Sequence, residues 1–214
     1  MKKILAIALI IGCIFAFASC SGIVPDIGGN NNSNNNVDNE GNTQSVEAIQ
    51  QAIDESAPKS SGIDVKYTTE IGTLEGSYDV TYNSDGSATV NYTYELFNKF
   101  DPSNPTQGNK TVYTDTVTVK ANGELDKVIN GVAAVEAVSF DIELDEDLLD
   151  SCIISASVLK ATVKADNTLD VLGVEIGCDV NITISTGNGR VTSVVMDYTT
   201  DDDAHVEIVA VYNY

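Results

Sequence analysis

Through most of the chain, apolar and polar residues alternate with a period of two. Ile63, Val65, Tyr67, Thr69 and Ile71 fall on one side, and Asp64, Lys66, Thr68 and Glu70 on the other. Leu74, Gly76, Tyr78, Val80 and Tyr82 repeat the pattern, as do Ala88, Val90, Tyr92, Tyr94 and Leu96. Ile176, Cys178, Val180, Ile182 and Ile184 form another such set, and Val206, Ile208, Ala210, Tyr212 and Tyr214 a further one. One dry face and one wet face at this period predict antiparallel sheet covered on one side. The middle of the chain is less regular. Thr111 to Lys120 predicts a strand ending at Ala121-Asn122-Gly123, and Val138, Phe140, Ile142 and Leu144 predict another. Asp145 to Ser151 reads as a short helical turn, Cys152 to Lys164 as one strand with a bulge where the apolar phase changes, and Asp166 to Gly173 as irregular. The count is nine or ten strands.

Partners across a hairpin share a face, so turn lengths test these assignments. Gly72-Thr73 predicts a two-residue type II′ turn, which sets Tyr67 opposite Tyr78 and Val65 opposite Val80. Ser84-Asp85-Gly86 predicts a three-residue loop with Gly86 left-handed, pairing Tyr78 with Tyr92 and Val80 with Val90. Gly187-Asn188-Gly189 and Asp201-Asp202-Asp203 predict two more three-residue loops. Aspartate tolerates the left-handed region better than most residues.

Before the strands, Ser45 to Ala57 reads as an amphipathic helix. Val46, Ile49, Ile53 and Ala57 share one face, and Pro58 ends it. A helix this short needs a packing partner, and the segments C-terminal to it are sheet. The expected fold is therefore mainly β (α+β): a curved antiparallel sheet or half-barrel of nine to ten strands with the N-terminal helix on its concave face. A two-layer β-sandwich with the helix outside is the alternative.

Residues 1–19 have a different pattern. Met1-Lys2-Lys3 is basic, Ile4 to Phe17 is an unbroken run of apolar and small residues, and small residues then lead into Cys20. That order predicts a secretory signal, too short for a comfortable membrane span. Phe17-Ala18-Ser19-Cys20 resembles the lipobox of bacterial lipoproteins, with Phe17 where that family usually has Leu. The resemblance implies cleavage before Cys20 and acylation of its sulfur and new amine, which leaves the chain anchored to a membrane of the cell envelope on the extracytoplasmic side. Cys13 would be discarded with the signal. Residues 20–44, rich in Gly, Asn and Ser, have little to bury and read as a flexible tether reaching roughly 25–30 Å. Residues 45–214 read as a single domain.

Charge narrows the partners. Lys2 and Lys3 are two of the 11 basic residues, so from Cys20 onward 9 basic residues face 32 acidic ones, a formal charge of −23. A field of that sign repels phosphate backbones and anionic headgroups, so nucleic acid is not an expected partner.

The order of one helix followed by antiparallel strands over residues 45–214 resembles the LolA and LppX group of bacterial lipid carriers. In that group an incomplete β-barrel wraps a helix and holds acyl chains. The resemblance rests on element order and transfers no functional residue. On the residues themselves, Tyr67, Tyr78 and Tyr92 would form a cross-strand row. With Tyr82, Tyr94, Tyr212 and Tyr214 on the same phase, they would line a pocket apolar in body and polar at the tips. Ordinary sheet packing accounts for the same row. Phe100 lies in the long loop Asn98 to Asn109, a second candidate for binding or a plain surface connection.

Nothing in the sequence marks a reaction. Asp145-Glu146-Asp147 and Asp201-Asp202-Asp203 lack the spaced ligands of a calcium loop, and His205 with two separated cysteines makes no zinc site. Cys152 and Cys178 are candidates for pairing in an oxidising compartment, but the strand pattern sets them near opposite strand ends. No nucleophile elbow, phosphate loop or dinucleotide fingerprint occurs. The expectation is a non-catalytic tethered module without metal or cofactor, binding a lipid or other amphipathic ligand. The alternative is a surface structural or interaction protein with a solid core. Space under Tyr78 would favour the first, and close packing the second.

Overall fold

The computed structural model describes residues 9–12, 45–99, 108–121, 126, 135–138 and 142–214. The lipidation candidate Cys20, most of the signal and tether, Phe100 and Phe140 lie outside the described residues. Leu9–Gly12 and Val135–Val138, described as backbone only, form a separate antiparallel pair.

A helix, α1, spans Val46–Glu55. The Ser45 side chain caps it, accepting from Ala48 N–H at 3.3 Å, and the buried stripe is Val46, Ile49, Ala52 and Ile53. Nine strands come after it: β1 Ser60–Thr68, β2 Gly72–Tyr82, β3 Ala88–Asn98, β4 Asn109–Val119, β5 Leu149–Ser155, β6 Val158–Val163, β7 Val180–Gly187, β8 Arg190–Thr199 and β9 His205–Asn213. They form one open antiparallel sheet in the order β4-β3-β2-β1-β9-β8-β7-β6-β5, so the two-layer sandwich is not the arrangement found. Two meanders, β1 to β4 and β5 to β9, meet where the first strand pairs with the last, from Thr68 opposite His205 to Ser60 opposite Asn213.

One face carries the core. A single row crosses it from Leu159 through Ile184, Val194, Ala210, Ile63 and Tyr78 to Tyr92 and Asp115. On this side, α1 meets β8 through the buried Ser56. Its Oγ donates to Ala52 O at 2.6 Å and accepts from Val191 N–H at 3.1 Å, with the Tyr214 hydroxyl 2.9 Å away. The chain between β4 and β5 returns past the same helix. Leu144 N–H donates to Gln50 Oε1 at 2.7 Å, and Glu143 N–H donates to Val171 O at 2.9 Å. Ile142 and Leu144, predicted as part of a strand, lie in irregular backbone here.

The turns divide into those the pattern anticipates and those it does not. Tyr78 pairs with Tyr92 and Val80 with Val90 across Ser84-Asp85-Gly86, as predicted, with Gly86 at φ +85°. Asp201-Asp202-Asp203 also forms its three-residue loop, with Asp203 at φ +60°. The β1–β2 turn lies two residues earlier than predicted, which shifts the register by four residues. Tyr67 faces Leu74 and Val65 faces Gly76, and the turn is Glu70-Ile71. Thr69 N–H donates to Gly72 O at 2.9 Å, and Gly72 N–H donates back to Thr69 Oγ1 at 3.1 Å. Gly72 is needed inside the strand, where a Cβ would sit 2.2 Å from Phe97 O. Ile71, predicted to face inward, is 44 % exposed at the turn. The slip is even, so every other residue keeps its face.

The β7–β8 loop is two residues, not three. Asn188 and Gly189 take φ +54° and +72°, and the extra residue enters the strand as a bulge at Thr192, so that Ile184 faces Val194. The predicted single strand from Cys152 to Lys164 is the β5–β6 hairpin, and its phase change is the turn at Ala156-Ser157. Asp166 to Gly173 is helical rather than irregular: a 3-10 turn, Ala165–Asn167, leads into α2, Thr168–Leu172. The strand expected from Ile176 begins at Val180, leaving Cys178 half-buried before it.

Candidate functional site

Alternation on β2, β3 and β4 brings tyrosines to the inner face. Tyr78 and Tyr92 have ring centroids 6.1 Å apart, Tyr92 and Tyr94 6.2 Å, and Tyr94 and Tyr113 4.7 Å. All three pairs are near-parallel, at 28°, 11° and 21°. Of the predicted residues, Tyr78, Tyr92 and Tyr94 therefore come together, and Tyr67 does not, because the four-residue register shift moves it opposite Leu74. Tyr113 completes the row and was missed, although it shares the phase of Val117 and Val119 within a predicted strand. Tyr82, Tyr212 and Tyr214 belong to a second group at the other end of the central strands, where the Tyr82 and Ser61 hydroxyls are 3.0 Å apart.

The row is tightly packed beneath Tyr78. Gly76 faces Tyr94 across the strands, but the ring lying over it is that of Tyr78 on its own strand. A Cβ on Gly76 would be 2.7 Å from that ring and from its hydroxyl. Tyr78 is 3 % exposed. Burial pushes the Tyr78 phenol above its ordinary value, helped by Tyr94 and Tyr92. Burial, then Asp115 and Tyr94, pushes Tyr92 up to about 12. Burial, then Tyr113, raises Tyr94. All three are neutral at physiological pH. Among the described residues, the hydroxyls of Tyr94 and Tyr212 are buried without a hydrogen-bond partner, an arrangement that costs about 1–3 kcal/mol each.

The opposite face holds an open groove of about 380 Å³ across β9, β1, β2 and β3. Its sides are Asp64, Glu75, Glu95 and Glu207, with Lys66 and Val209 among them. Glu207 faces Lys66, Lys66 faces Glu75, and Glu75 faces Glu95, giving one row across four strands. Lys66 Nζ pairs with Glu75 at 3.1 Å, Lys110 Nζ reaches Glu95 at 2.6 Å, and Ser77 donates to Asp64.

The remaining candidates have local roles. Asp145 caps a second 3-10 turn, Glu146–Leu148, by accepting from Asp147 N–H at 3.0 Å, and Asp202 accepts from Thr200 in its hairpin loop. Cys152 and Cys178 are unpaired thiols. Burial raises both, with Glu146 adding to the first and Asp201 and Asp179 to the second, which disfavours the reactive thiolate. Among the described residues, no three His, Cys, Asp or Glu side chains cluster to hold a metal ion, and no helix is long and apolar enough to cross a membrane. The chain matches no known protein-family model, and no characterised protein or solved structure is detectably similar to it.

Proposed function

We propose that this chain is a membrane-tethered extracytoplasmic lipoprotein whose β domain acts as a non-catalytic interaction module with a filled core. The packing of Tyr78 onto Gly76 carries this reading, because it fills the space where a ligand under the tyrosine row was expected. In this reading the sheet curves as a half-barrel about α1, whose stripe seals the aliphatic side of the inner face. The anchor rests on the basic start, apolar run and Ser19-Cys20 junction. Native mass spectrometry of gently purified protein should give the bare lipidated polypeptide, with the same melting temperature before and after solvent delipidation. Cys20→Ala should move the protein from membrane to soluble fractions. If the variant stays membrane-bound at high salt, the acyl anchor is wrong.

The buried hydroxyl of Tyr94 favours a second reading, an amphipathic-ligand binder. Its site would lie at the Tyr92, Tyr94 and half-buried Tyr113 end of the row rather than under Tyr78. A co-purifying amphiphile whose removal lowers the melting temperature would select this reading over the first.

A further inference from the structure

We infer that the free edge of the sheet at β4 is an interface for a second copy of this chain, joined by antiparallel pairing of Lys110 to Thr114 about a two-fold axis at Val112. This pairing depends on neither reading of the inner face. β4 ends the sheet and pairs on one side only, with β3. Its register runs without a bulge, so alternate residues turn both backbone groups toward β3 and the others turn both away. Thr118 belongs to the second set. Its N–H donates to Asp126 Oδ1 at 3.0 Å, and its carbonyl accepts from Asp126 N–H at 3.0 Å. Lys110, Val112, Thr114 and Thr116 share that orientation. Thr116 N–H is covered too, donating to Asp115 Oδ1 at 2.7 Å. Among the described residues, nothing covers the outward backbone groups of Lys110, Val112 and Thr114.

An exposed, regular edge templates another strand, and folded proteins usually blunt it. The opposite edge, β5, is blunted by a bulge between Asp150 and Ile153, where Ser151 takes φ +52°. The carboxylates of Asp115 and Asp126 blunt the C-terminal part of β4. Before Asn109 the chain turns away through Gly108 at φ +69°. The run left between these stops is its own complement. With Val112 opposite Val112 of the second copy, Lys110 falls opposite Thr114 on both sides of the axis, for about six backbone hydrogen bonds. No like charges stand directly opposed, and Lys110 keeps its own partner, Glu95, at 2.6 Å. Val112, outward-facing and 53 % exposed, meets the same side chain of the other copy. An unrelated strand would satisfy the backbone, but the chain itself supplies the side-chain match at both ends. The bonds are few and each copy carries −21, so the dimer is weak and tightens as salt screens the repulsion.

Sedimentation velocity on the full chain in neutral detergent, over a range of concentrations and salt, should show a reversible monomer–dimer equilibrium that tightens as salt rises. Val112→Lys sets two ammonium groups opposite each other at the axis and should weaken the dimer about fivefold or more. It also lowers the net negative charge, so the loss cannot come from stronger general repulsion. Leu169→Lys makes the same charge change on α2, at a residue of similar exposure, and should alter the dimer less than about twofold. Val112→Cys gives a second readout. Under mild oxidant it should form a cross-linked dimer above the parent's background, and Leu169→Cys should not. A chain monomeric at every concentration and salt overturns the proposal, as does a dimer that the two lysine variants weaken equally or not at all. In such a monomer, amide hydrogen exchange names the other occupant. Slow exchange at Val112 N–H assigns the edge to another segment of the same chain, and fast exchange leaves it to a strand from a different protein.

Discussion

The inner row that crosses the whole sheet changes character at its centre. From β6 to β1 it runs Leu159, Ile184, Val194, Ala210 and Ile63, and from β2 to β4 it runs Tyr78, Tyr92 and Asp115. The next row behaves alike, passing from Ala161, Ile182, Met196, Ile208 and Val65 to Gly76, Tyr94 and Tyr113. The aliphatic half has α1 and the buried Val171 and Leu172 of α2 in the same core. The aromatic half stacks its rings on one another. An aliphatic core gains stability by volume filling, and each lost methylene leaves a cavity. A stacked aromatic row gains by ring contact as well, but it carries hydroxyls into the interior, and the Tyr94 hydroxyl finds no partner there among the described residues. The two halves therefore answer differently to the same kind of substitution.

The largest contrast should come from truncating the aliphatic side. Ile208→Ala, at a fully buried position, should cost about 2–5 kcal/mol in urea unfolding. A loss below that range would show that the sheet collapses around the gap. Next, Gly76→Ala should cost about 1–3 kcal/mol through overpacking against Tyr78. The cost should shrink when Tyr78→Leu is added, and purely additive losses would refute the contact.

High pH should separate the halves further. Folded-state phenols are raised, Tyr92 to about 12, while unfolded tyrosines ionise near 10. The unfolded chain thus sheds its phenolic protons first. Stability is fully present below about pH 10 and falls as pH rises toward the folded values. Urea midpoints measured from pH 8 to pH 11.5 should decline, and Tyr78→Phe/Tyr92→Phe should flatten that decline. Midpoints independent of pH in the parent protein would contradict the burial of the row. The smallest effect has the opposite sign. Tyr94→Phe removes a buried hydroxyl without a partner, so it should leave stability unchanged or raise it by up to about 1 kcal/mol. A clear loss would mean that the hydroxyl has a partner.

Face assignment was legible in the sequence because period two is a local property. Ile63, Val65, Tyr78, Val90, Ile182 and Ile208 are all buried as the alternation requires. Register was legible where the turn chemistry was unambiguous, as at Ser84-Asp85-Gly86. It failed at Gly72, whose missing side chain answers to the backbone of β3 rather than to the turn. The groove was not legible at all. It needs β9 beside β1, and no local pattern reports a pairing between segments so far apart in the chain. The acids of β1, β2 and β3 were visible only as a wet face, and Glu207 had no reason to be read with them.

That central seam governs how the domain comes into being. Strands β1 and β9 are made at opposite ends of the folded segment, and their ladder joins residues more than about a hundred positions apart. Each meander can zip hairpin by hairpin, but neither can be stitched to the other until the final strand has emerged. Such distant closure is slow, because loop entropy is lost before the ladder rewards it. A chain made from its N-terminus would thus hold two loose ribbons until that last strand appears, and become one sheet only then.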